Sequence, residues 1–142
     1  DGPYAAELTR VTQEHSNVVY HGTVTNDVVI RAELEADILI NPRPTHEEFT
    51  RYSFPSKNME YMATGTPVLT TDLPSMPEEY KQYVYLLKDE TEDGVCQALI
   101  QIFKEPDKER IEKGKKAKHF VMEKKNNVRQ AKKIVKLVCN GK

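Results

Sequence analysis

The segment richest in reactive side chains is residues 41–65, NPRPTHEEFTRYSFPSKNMEYMATG. It opens with a polar stretch of 13 residues, 42–54, between an apolar run and a helical pattern. Strand-to-helix connections in α/β units usually take about 2–6 residues. Surplus length at the carboxyl end of a strand is where binding and catalysis concentrate. The stretch feeds Pro55, placed as a first-turn proline of a helix, and the free N–H groups and positive dipole end of such a helix favour an anion. Ser53 and Ser56 add hydroxyl donors and Lys57 adds a cation. Glu60, three residues on, lies on the same side of that helix, one turn deeper. An anion site beside an acceptor carboxylate suits a nucleotide, with phosphates at the helix start and ribose hydroxyls at Glu60. The competing reading makes Lys57 and Glu60 an i,i+3 surface pair worth about 0.2–0.5 kcal/mol. Spacing alone leaves both open.

The surrounding chain alternates between strand and helix patterns. Residues 4–15 read as a helix and 17–20 (NVVY) as a short strand. Residues 25–35 carry Val28, Val29, Ala32 and Leu34 near helical spacing, and 37–41 (DILIN) form a buried-strand run stopped by Pro42. After the helix that ends at Gly65 come a strand at 67–71, a Pro-rich turn, a short helix at 78–81 and a strand at 83–87. Thr91 caps a helix with Val95, Leu99, Ile102 and Phe103 along one side. Continuous apolar strands alternating with helices predict an α/β fold: a Rossmann-like parallel sheet with helices on both faces. Ligands of such sheets bind beyond the carboxyl ends of the strands. The expected organisation is a Rossmann-like ligand-binding domain over 1–105 and C-terminal helices over 106–142. These helices pack on the sheet or cross toward another domain. Pro106 starts the first of them and Asn126-Asn127 breaks it; the last carries Val128, Ala131, Val135 and Val138 as a stripe expected to be buried.

At 142 residues the chain has the length of one domain. No apolar run approaches the roughly 18 residues of a membrane span, and Cys96 and Cys139 form no CxxC pair, which fits a reducing, cytoplasmic setting. Cys96 reads as a buried small hydrophobe. The net charge of -1 hides an asymmetry: residues 1–100 hold 7 Lys/Arg against 17 Asp/Glu, and 101–142 hold 14 against 5. A basic tail on an acidic body either is a solvated lysine face or meets an anionic partner. A non-catalytic module whose tail binds nucleic acid or an anionic surface is therefore the alternative function. His46, Glu47 and Glu48 lack the spacing of a zinc helix, so no metal is expected. His15 and His21 read as surface or cap residues.

The run FPSKNMEYMATGTPVL resembles the donor-binding signature of glycosyltransferase family 4 enzymes of the GT-B fold, and the resemblance extends to DGPYAAEL, NVVYHGTVTNDVVIRAELEADILINP and TTDLPSMPEEY. It covers roughly residues 1–90. It implies the C-terminal half of a retaining, hexosyl-type transferase, of the sort found in polysaccharide synthesis. The nucleotide-sugar is a substrate, no cofactor is needed, and a glycan or lipid-linked acceptor is held by the other half. Glu60 matches the glutamate that holds the ribose hydroxyls. The family often has a second glutamate upstream with seven residues between the two; here that place holds Tyr52. By the same likeness the backbone near Ser53 and Phe54 approaches the diphosphate and Thr23 and Val24 contact the base; Lys57 and the helix start at Pro55 would stabilise the leaving diphosphate. A Gly-Arg…Lys-Gly segment and two strands that would lie upstream are not in the sequence, and it begins with Asp1. A fragment of a longer parent is thus expected, inactive in isolation and prone to self-association at its sheet edges. The basic tail suggests a peripheral contact with the inner face of a membrane.

Overall fold

In the computed structural model, which describes residues 2–140, two compact units part between Ala32 and Glu33. The first contains helix α1 (Ala5–Glu14), an irregular stretch over 15–25, and most of helix α2 (Asn26–Glu35). α1 follows from apolar residues three and four apart, is supported by an Arg10–Glu14 pair at 2.8 Å, and closes with the His15 N–H donating to the Val11 carbonyl at 2.9 Å. No described residue of this unit is buried, as expected where some thirty residues are too few to enclose a core. The strand expected at 17–20 is not formed: these residues join no ladder, and Val19 is exposed. An apolar strand persists only with a hydrogen-bonded neighbour and a covered face, and residues 2–32 provide neither.

The second unit holds strands β1 (Leu39–Asn41), β2 (Val68–Thr71) and β3 (Tyr85–Leu87), and helices α3 (Ser56–Thr64), α4 (Glu78–Lys81), α5 (Glu92–Lys104), α6 (Asp107–Lys124) and α7 (Asn127–Asn140). The sheet is parallel in the order β1-β2-β3, with Leu39 opposite Val68 and Leu69 opposite Tyr85. β2 is central and buried along its length. Successive side chains of a strand point to opposite faces. Val68 therefore joins Met62, Leu73, Tyr80, Ala117 and Phe120 under α3 and α6, while Leu69 joins Leu87 and Ile102 under α5. This is the expected α/β arrangement, a parallel sheet flanked by helices, in the form of a three-stranded Rossmann-like fragment.

Local chemistry sets the helix ends. Thr91 caps α5, its hydroxyl accepting from the Gly94 N–H at 3.1 Å. Pro55 is the N-cap residue of α3, with extended backbone, one position earlier than a first-turn proline. Gly65 ends α3 at φ 88, a left-handed conformation that glycine adopts without strain. α6 crosses there so closely that a Cβ on Gly114 would lie 2.1 Å from the Gly65 carbonyl oxygen.

Two expectations, one for the tail and one for α5, are corrected. Val128, Ala131, Val135 and Val138 are exposed, because α7 lies against no core cluster. The lysines are mostly solvated, as expected of a solvated lysine face: Lys115, Lys116, Lys118 and Lys124 are exposed, while Lys113 lies over the Tyr85 ring and Lys125 over Tyr80 and Phe120, where it also pairs with Glu79. Cys96 is exposed, since α5 turns Val95, Ala98, Leu99 and Ile102 to the sheet and Cys96 falls outside that stripe. Among the described residues no helix is long and apolar enough to cross a membrane.

Candidate functional site

The carboxyl ends of β1 and β2 meet the start of α3 through a closed polar triangle. The Asn41 amide donates to Asn58 Oδ1 at 2.6 Å, the Asn58 amide donates to Thr70 Oγ1 at 3.1 Å, and the Thr70 hydroxyl donates to the Asn41 carbonyl at 3.0 Å. Asn58 and Thr70 are buried. Each amide and hydroxyl is matched, so the cost of burying it is offset and the geometry is fixed. The helix start is thereby held in register with two strand ends.

The loop between β1 and α3 is tied at several points. The Arg43 N–H donates to Thr71 Oγ1 at 2.9 Å, and the Thr45 N–H to the Glu90 carboxylate at 3.0 and 3.2 Å. The buried Thr50 hydroxyl donates to the Glu47 carbonyl at 2.6 Å, within a 3-10 turn at Glu48–Arg51. At the far end the Ser75 hydroxyl donates to the Ser53 carbonyl at 3.1 Å, and the Phe54 ring packs on Tyr80 with centroids 4.8 Å apart. Phe54 is thus a packing residue by its side chain. Between these ties Tyr52 stands 80% exposed, and Ser53 and Ser56 face solvent. Pro55 supplies no side-chain cap, so the first N–H groups of α3 are not taken up as Thr91 takes up those of α5.

Lys57 bridges two carboxylates. Its Nζ lies 2.8 Å from Glu60 Oε2 and 3.1 Å from Glu33 Oε1, and 5.4 Å from the Tyr61 ring centroid. The hydrogen bond to Glu60, more than any other influence, holds the ammonium above the ordinary lysine range, with Glu33 adding to it against desolvation. Glu33 is buried, and its Oε1 has the Lys57 ammonium beside it. The i,i+3 pair of the competing sequence reading is therefore present, with a second, buried acid behind it. Burial pushes the Tyr61 phenol upward.

The fold brings Tyr52, Ser53, Phe54, Ser56, Lys57 and Glu60 together around the first half of α3. Thr23 and Val24 belong to the first unit, where both are exposed. Sequence reasoning missed Asn58, Asn41, Thr70 and Glu33. The one available signal was Asn58 standing four residues before Met62 on the helix face that turns inward. Among the described residues no group of three or more His, Cys, Asp or Glu side chains is arranged to hold a metal ion.

Compared with known families, the chain matches the one described as Glycosyl transferases group 1 over residues 1–105. No curated protein and no solved structure matches it.

Proposed function

The chain belongs to the group 1 glycosyl transferases, and from that membership we propose that it forms the donor-binding part of a retaining, hexosyl-type transferase. Such an enzyme moves a sugar from a nucleotide-sugar to a glycan or lipid-linked acceptor, and acceptor recognition is assigned to a partner domain outside this sequence. The observation that carries the reading is Glu60. It stands exposed one turn into an uncapped helix that begins at the carboxyl ends of parallel strands, inside the matched residues.

In this reading Glu60 accepts from the ribose hydroxyls. Lys57 occupies Oε2 and fixes the carboxylate's direction, leaving Oε1 to the ligand. The diphosphate faces the free N–H groups of α3 with Ser53 and Ser56 beside them, where positive dipole ends stabilise a leaving diphosphate. Tyr52 lies alongside the donor sugar, and Thr23 and Val24 serve the base. Positioning supplies the greater part of the rate gain.

The test is Glu60→Ala in the complete enzyme. Transfer should fall at least tenfold, about 1.4 kcal/mol in the barrier, with the fold unchanged. Calorimetric titration of uridine and guanosine diphosphates should show weaker binding by the variant. Near-normal transfer by a well-folded variant would remove Glu60 from the site.

A further inference from the structure

Among the described residues Glu33 is the only buried carboxylate, and donor binding as proposed gives it no role. It stands in α2 as the first residue of the second unit. Its carbonyl accepts from the buried Thr66 hydroxyl at 2.8 Å, just beyond the carboxyl end of α3. Its side chain reaches the first turn of the same helix, where Oε1 lies 3.1 Å from Lys57 Nζ. Glu33 is thus fastened to both ends of α3. A carboxylate taken out of water is costly unless a cation stands beside it. An exposed i,i+3 pair such as Lys57 with Glu60 forms without any such partner. It does not hold one geometry, because two long side chains at a surface lose rotamer freedom on pairing.

We propose that Glu33 is a positioning residue for the ribose of the nucleotide, acting through Lys57 on the Glu60 carboxylate, an inference that rests on donor binding at Glu60. The Lys57 ammonium stands between Glu33 Oε1 at 3.1 Å and Glu60 Oε2 at 2.8 Å. Side-chain exposure rises along this line, from 10% at Glu33 through 38% at Lys57 to 56% at Glu60. The anchored end is therefore inside the protein and the working end is in solvent. An acid on each side limits the swing of the ammonium, and Glu60 Oε2 is held where the ammonium is held. A carboxylate with one oxygen fixed in this way presents the other in a set direction. Less freedom is then lost when a ribose hydroxyl donates to it, and the interaction tightens without any new contact to the ligand.

The experiment is calorimetric titration of the complete enzyme with uridine and guanosine diphosphates and with their 2′,3′-dideoxy counterparts, which lack the hydroxyls assigned to Glu60. The readout is the ratio of the dideoxy Kd to the ribose Kd for whichever diphosphate binds. In the wild type this ratio should be about tenfold or more, the worth of a hydrogen bond to a charged acceptor, and Glu60→Ala should bring it close to one. Glu33→Gln keeps the shape of the acid and should lower the ratio about threefold or more, within the range of coupling through a shared network. Glu33→Asp keeps the charge and should recover part of that loss. In a Lys57→Met background Glu33→Gln should change the ratio no further, because its route runs through Lys57. A purely structural role would lower the melting temperature and weaken both ligands alike. An unchanged ratio in Glu33→Gln, with Glu60→Ala still abolishing the discrimination, overturns this proposal alone. So does an undiminished effect of Glu33→Gln in the Lys57→Met background. If Glu33→Gln does not fold, Lys57→Met decides, and a wild-type ratio in that variant overturns the proposal. A ratio that Glu60→Ala leaves unmoved, or a wild type that binds neither diphosphate, overturns donor binding at Glu60 and this proposal with it.

Discussion

The pairing of Lys57 with Glu33 makes a prediction whose size can be worked out. Removing one partner of a fully buried ion pair costs roughly 3–5 kcal/mol, because a charge is left unpaired in a poor solvent. Glu33 comes close to that limit at 8% exposure, but the Lys57 side chain is 38% exposed, so water screens the contact. Exposed pairs contribute about 0.2–1 kcal/mol. An intermediate coupling of about 1–2 kcal/mol follows for Lys57 with Glu33. The measurement is a double-mutant cycle of Lys57→Met, Glu33→Gln and the double variant, by urea unfolding at pH 7. Lys57→Met keeps much of the stem that covers Tyr61, and Glu33→Gln keeps the shape of the acid. The double variant should be more stable than the sum of the two losses predicts, by that coupling. Additivity within about 0.3 kcal/mol would refute the reasoning and reduce Lys57 to an ordinary surface partner of Glu60.

Further outcomes are expected from the same geometry. Lys57 is held above its ordinary value of 10.5, chiefly by Glu60; its contribution to stability is therefore full below about pH 10.5 and is lost only as pH rises through the folded-state value. Melting curves from pH 7 to 9 should thus show a constant difference between the wild type and Lys57→Met. Asn58→Ala strips two hydrogen bonds from a buried triangle and should cost about 2–4 kcal/mol in chemical denaturation, counting the orphaned Asn41 amide and the space left behind. Gly114→Ala drives a methyl into the Gly65 carbonyl; a melting temperature lowered by several degrees, from roughly 1–3 kcal/mol of overpacking, is expected, and an unchanged one would show that α6 is free to slide.

How far the sequence discloses the fold depends on where its hydrophobic residues find partners. The patterns at 37–41, 67–71 and 83–87 become strands because each run has a parallel neighbour and helices above and below. The equally apolar run at 17–20 does not, since a strand is a property of pairs and one segment cannot display its lack of a neighbour. α7 repeats the lesson: Val128, Ala131, Val135 and Val138 have core periodicity, but periodicity names a face and not what covers it. Of the candidate site, the sequence disclosed the placement of Ser56, Lys57 and Glu60 in the first half of one helix, because local spacing alone sets it. Glu33 was not legible, because its meeting with Lys57 joins residues 24 positions apart in sequence. Asn58 was hidden for another reason: a buried amide looks like any polar residue until its partners on two strands are placed.

The central strand has a kinetic consequence. β2 supplies Val68 to one core cluster and Leu69 to the other, and it has hydrogen-bonded neighbours on both sides. A fluctuation that lifts α5 from its face leaves Val68 clamped beneath α3 and α6, and one that lifts α6 leaves Leu69 clamped by Ile102. Neither partial opening frees the β2 amides, so Val68–Thr71 should exchange their hydrogens with solvent only when the whole second unit unfolds. Amides of α7, whose apolar side chains touch neither cluster, should exchange at rates set by fraying of that one helix. The spread between these two rates would directly measure the free energy of the core, with β2 reporting its upper limit.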